Sequence, residues 1–135
     1  MTVQQLTIKE IEIMEILWKE QRALTSSEIV ELSQNSTWKK SSIYILLNSL
    51  LKKGAIEVDG FIKNNKAYAR TFSPAISFEG YTVAQIQQNK SFSNKSVPKI
   101  VAALINNQVS FEKQNELKRE LQKIIDEKSN DKERE

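Results

Sequence analysis

The chain has 135 residues, a formal net charge of +3, and neither cysteine nor histidine. It is long enough to bury a core without staples. The missing residue types exclude disulfide frameworks, thiolate or imidazole metal sites, cysteine nucleophiles and the Ser-His-Asp triad, and three glycines cannot build a Gly-rich phosphate loop.

An enzyme would have to run on carboxylates, lysine, tyrosine or serine, and no convergent set of these is legible, so no enzymatic activity is expected. No apolar run approaches the roughly 20 residues of a membrane helix. Residues 1–6 lack the basic-then-apolar pattern of a secretory signal. A cytoplasmic location without membrane insertion is therefore expected. Sparse Gly and Pro with abundant Leu, Ile, Glu, Lys and Gln predict a mostly α fold.

Thr7 and Glu10 form a capping box that opens a first helix. Ile11, Met14, Leu17 and Trp18 recur at helical spacing, with Ile13 and Ile16 widening the stripe, so Trp18 is expected in the core. Thr25 and Glu28 form a second capping box, predicting a short helix to about residue 34 with Ile29, Val30 and Leu32 on its apolar side. Asn35-Ser36-Thr37 reads as a turn. A third helix starts at Lys40 or Ser41 and ends near Lys53, with Gly54 as a left-handed stop. Ile43, Leu46, Leu47 and Leu50 define its core face, while Ser41, Ile45, Asn48 and Lys52 lie opposite and Ser42, Tyr44 and Ser49 border them.

Residues 56–72 change to the alternation of strands. They predict a β-hairpin with a tip at Asn64-Asn65-Lys66 and a bulge at Gly60, closed by Pro74. Helices are expected over 77–88, 97–106 and from Ser110 onward, with a polar loop over 89–96. The fold class is thus mostly α with a small β-hairpin. The order of elements reads as a winged helix-turn-helix domain over 1–75, a helical dimerisation region over 76–128 and a flexible charged tail over 129–135.

The small net charge is unevenly placed. Residues 1–37 carry −3, residues 38–72 carry +5 and residues 73–135 carry +1. A basic third helix and hairpin match the footprint of a phosphate-binding surface. Serine, Ile45, Tyr44 and Asn48 suit a groove: serine bonds bases or phosphates, asparagine can read adenine, and isoleucine can touch a thymine methyl. The DNA-binding set read from the residues is Lys39, Lys40, Ser41, Ser42, Tyr44, Ile45 and Asn48, with Lys63, Lys66 and Arg70 on the wing. The other reading of the same elements is a winged-helix protein–protein interaction module without sequence-specific DNA binding.

Three separated patterns carry a resemblance. Leu6-Thr7-x-x-Glu10-x-x-Ile13-Met14-x-x-Leu17-Trp18 is similar to the opening helix of the penicillinase-repressor family. Trp38-x-x-Ser41-Ser42-Ile43-Tyr44-x-Leu46-Leu47-Asn48-x-Leu50-x-x-Lys53-Gly54 resembles its recognition helix, and Phe72-Ser73-Pro74 stands where the family carries Tyr-x-Pro. The resemblance implies a homodimeric transcriptional repressor with a C-terminal helical dimerisation region. Such proteins bind palindromic DNA operators ahead of antibiotic-resistance or stress genes. The dimerisation residues would be Ile100, Leu104, Leu117, Leu121, Ile124 and Ile125, although this stripe could also fold back on its own winged helix.

The sequence departs from the family in three places. Ile45 and Ser49 stand where recognition helices often carry Thr and Arg, which shifts the charged contacts to Lys39, Lys40 and the wing. The Asn-Phe bond cleaved in well-known members maps to Ala103-Leu104, and no Asn-Phe occurs in the chain. Proteolytic induction, with a membrane sensor peptidase as partner, would need another bond. The Cys-x-Cys metal pair of the copper-responsive branch is missing, so no metal or cofactor is expected; Asp126, Glu127 and Asp131 read as a solvated helix end. Ser-x-x-Lys recurs along the chain without its companion motifs and carries no enzymatic weight.

Overall fold

The computed structural model describes residues 3–64 and 67–133. It forms two compact units, Met1–Lys90 and Ser91–Glu135.

In the first unit, helix α1 (Ile8–Glu20) starts at the expected box: the Glu10 N–H donates to Thr7 Oγ1, and the Thr7 N–H donates to the Glu10 carboxylate. Ile13, Met14 and Leu17 are fully buried. Gln21, in left-handed backbone at φ 54°, ends the helix. Strand β1 (Leu24–Thr25) leads directly into α2 (Ser26–Leu32), which is capped by the Thr25–Glu28 box. Of the apolar side expected for α2, Ile29 is buried but Leu32 is exposed. Trp38 is buried and fastens the connection that follows.

The third helix begins one turn later than its periodicity suggests. Lys40–Ser42 form a 3₁₀ turn, and α3 (Ile43–Lys52) follows. Gly54 sits at φ +73°, a conformation that costs an L side chain strain, and the Ala55 N–H closes on the Leu50 carbonyl.

Strands β2 (Ile56–Asn64) and β3 (Ala67–Pro74) pair antiparallel, with the expected bulge between Val58 and Gly60. The tip residues Asn65 and Lys66 lie outside the described residues. β1 adds to the other edge of β3 in the order β1-β3-β2, placing Leu24 opposite Phe72. β1 is not legible in the sequence, because two residues have no period and their pairing is made only with a segment far along the chain.

Helix α4 (Phe78–Gln88) starts at Ser77, whose hydroxyl accepts from the Gly80 N–H. Tyr81 is buried, and its hydroxyl accepts from the Leu6 N–H at 3.1 Å; Trp18 Nε1 donates to the Ile76 carbonyl at 2.9 Å. These bonds attach α4 to the start and end of α1. The first compact unit accordingly runs on to Lys90, past the boundary drawn after residue 75.

The second unit pairs α5 (Ser96–Asn106) with α6 (Phe111–Glu133). Pro98 falls in the first turn of α5, where its missing N–H costs nothing. The Ser110 hydroxyl accepts from the Lys113 N–H and starts α6. The helix continues to Glu133, through residues expected as a flexible tail. Lys, Glu and Asp are compatible with helix, and local pairs such as the Gln122 amide to Asp126 at 2.9 Å support the polar surface.

Candidate nucleic-acid interface

Helix α3 has two unlike sides. Ile43, Leu47 and Leu50 are buried and Leu46 is half-buried, which holds the inner face against α1 and α2. Ser41, Asn48 and Lys52 are exposed on the outer face, with Tyr44 at 60% and Ile45 at 72% exposure. Ser42 and Ser49 are half-buried borders, as their helical angles require. Lys39 and Lys40 are exposed at the entrance. The Thr37 N–H and hydroxyl both reach the Glu12 carboxylate at 3.1 Å, tying the preceding turn to α1.

The helix is fixed to α1 by a buried polar cluster. Glu10 is 1% exposed; its carboxylate accepts from Lys53 Nζ and from Ser49 Oγ, each at 2.6 Å, besides the Thr7 N–H. Burial pushes this carboxyl up, but Lys53, Ser49 and Thr7 outweigh it and hold Glu10 at about 2, against an ordinary 4.5. Two residues thereby change role. Lys53 belongs to the basic block by position, yet its charge is spent on Glu10. Ser49, a border residue of α3, secures the helix from within. A signal for Glu10 existed: with Ile13, Met14 and Leu17 it has i, i+3, i+4, i+7 spacing, which places it on the buried stripe.

On the wing, Lys63 and Arg70 are exposed and make no ion pair among the described residues. The Lys63 ammonium lies 5.9 Å from the Tyr68 ring centre and the Arg70 guanidinium 5.2 Å from that of Phe72. Lys66, the remaining wing cation of the expected set, lies outside the described residues.

In the second unit no described residue is fully buried. Ile100, Leu117 and Leu121 are half-buried, whereas Leu104, Ile124 and Ile125 are exposed. Ala103 and Leu104 lie exposed within α5, so their peptide bond is helical. Among the described residues no cluster of acidic side chains could hold a metal ion, and no helix is long and apolar enough to cross a membrane.

Three helices closed by a three-stranded sheet, with a hairpin extending beyond the core and the third helix presenting a free polar face, define a winged helix-turn-helix protein. The penicillinase repressor family model matches residues 6–126. The penicillinase repressor of Bacillus licheniformis is 30% identical over 119 residues, spanning 85% of this chain and 88% of that protein. The chain belongs to the penicillinase repressor family, whose members are transcriptional repressors and not enzymes.

Among solved structures, the DNA-binding domain of the repressor BlaI is 30% identical and covers 60% of this chain and 94% of its own, with a TM-score of 0.45. Monomeric B. licheniformis BlaI in complex with the blaP half-operator is likewise 30% identical, covering 59% and 92%, with a TM-score of 0.43.

Proposed function

We propose that the protein is a dimeric, sequence-specific repressor that inserts α3 into the major groove of each half of a palindromic operator. The observation that carries this reading is the division of α3: an inner face locked by Leu47, Leu50 and the Glu10 cluster, and an outer face of Ser41, Tyr44, Ile45 and Asn48 left uncovered. A helix held this firmly presents its outer side chains at defined positions, which base reading requires. Lys39 and Lys40 take phosphates at the helix entrance, and Lys63, Lys66 and Arg70 do so from the wing.

Dimerisation uses α5 and α6. Leu104, Ile124 and Ile125 are exposed in the single chain and continue the half-buried row of Ile100, Leu117 and Leu121. A second copy would remove this surface from water. The B. licheniformis relative bound to a half-operator supports an operator as the ligand class. Control of resistance or stress genes, and a cytoplasmic location, follow from the same family reading. Release by proteolysis at Ala103-Leu104 would require α5 to unwind first, and a membrane sensor peptidase would be the partner for that route.

The test is selection of bound duplexes from a random pool, followed by affinity across a salt series. A two-fold symmetric motif and a steep fall of affinity with salt are expected from counterion release. Failure to enrich any motif, with weak salt dependence, would leave the protein–protein interaction module as the reading.

A further inference from the structure

We propose that Phe61 and Tyr68 are DNA-contacting residues, and that the wing grips the duplex through aromatic rings laid on deoxyribose as well as through its cations. The inference rests on the DNA-binding reading above and adds a ligand chemistry to it.

Strand register makes the surface. Phe61 pairs with Arg70 and Lys63 pairs with Tyr68 across the β2–β3 ladder. Directly opposed residues of an antiparallel pair share a face, and so do residues two apart on one strand. Phe61, Lys63, Tyr68 and Arg70 therefore lie on one side of the hairpin, each ring opposite a cation. The rings are open to solvent, with Phe61 at 66% and Tyr68 at 69% exposure. The acidic residues of the hairpin, Glu57 and Asp59, lie nearer its base, below the Phe61–Arg70 pair.

This combination fits one class of partner. Two cations without ion pairs among the described residues complement a phosphate backbone. Flat rings between them match the spaces between phosphates, where sugars present apolar faces. The Lys63 ammonium lies 5.9 Å from the Tyr68 ring centre, so a cation and a ring stand together at this pair.

The two kinds of contact differ in their response to salt. A lysine–phosphate contact releases counterions, and a ring on a sugar does not. The test measures fluorescence anisotropy of a mixed-sequence duplex, and of one of its isolated strands, over a salt series, using the full-length protein. Phe61→Ala with Tyr68→Ala is expected to lower duplex affinity about tenfold without changing the salt slope. Lys63→Ala is expected to reduce that slope by about one. Phe61→Leu with Tyr68→Leu, which keeps apolar bulk on the strands, is expected to show part of the loss at unchanged unfolding midpoint.

Unchanged duplex affinity in the double alanine variant, while the wild type binds, overturns the inference and leaves the repressor reading standing. So does a fall in stability alone, which would make the rings a hairpin brace. A loss confined to the single strand overturns duplex contact in favour of base stacking, and a change in self-association alone would assign the face to a second copy. If the wild type binds no duplex, both readings fall.

Discussion

Replacing Glu10 by glutamine should cost stability by an amount that shrinks in acid. In the folded chain burial acts to raise this carboxyl, and the Lys53, Ser49 and Thr7 hydrogen bonds outweigh it to hold it at about 2 instead of 4.5. A folded value below the unfolded one means the ionised group stabilises the fold. That contribution is complete above the unfolded value and is lost as pH falls through about 4.5 towards about 2. The gap corresponds to about 3 kcal/mol at neutral pH. Glutamine preserves the shape and can still serve a capping box, but it leaves Lys53 without its counter-charge. The Lys53 side chain is 22% exposed and can turn partly to water, so a net loss of about 2–3 kcal/mol is expected. Urea unfolding of both proteins, followed at pH steps from neutral to about pH 3, gives the difference directly. The remaining carboxylates are common to both proteins and largely cancel. The two stability curves should converge as pH falls; curves that run parallel throughout would refute the assignment of Glu10 as an ionised anchor.

Other expectations follow from the same structure. Leu121→Asp places a charge in the apolar row of α6 and should shift sedimentation towards monomer while weakening operator binding; a dimer that persists would move the interface elsewhere. Asn48→Ala should relax selection at one position in each half-site, and an unaltered selected motif would remove Asn48 from the reading set. Leu47→Ala, at a fully buried position of α3, should cost about 3 kcal/mol in urea unfolding, and a loss well under 1 kcal/mol would contradict the packing described. Gly54→Ala meets no atom within 4 Å of the added carbon, so its expected cost of about 1 kcal/mol comes from the left-handed backbone at φ +73°. A neutral substitution there would mean that the turn relaxes.

Local chemistry was legible. Both capping boxes, the inner and outer faces of α3, the Gly54 stop and the Gly60 bulge follow from side chains acting within a few residues of themselves. So does the start of α6 at Ser110. Leu32 and the charged end of α6 differ from expectation, and the pairing of Lys53 with Glu10 was not legible, for a shared reason. Apolarity, positive charge and low hydropathy each describe a residue alone, whereas burial, ion pairing and helix continuation depend on what lies beside it.

The family patterns and the periodicities together determine the winged-helix class, because helix caps, heptad-like stripes and strand alternation are encoded at short range. What the tertiary structure alone decided is which charges and which apolar faces remain free. It paired β1 with β3 across nearly fifty residues, closed Lys53 and Ser49 on Glu10, and aligned Phe61, Lys63, Tyr68 and Arg70 on one side of the wing. The first two depend on contacts between segments distant in the chain; the third depends on strand register within the hairpin, where a one-residue change would turn the wing's side chains to the opposite face.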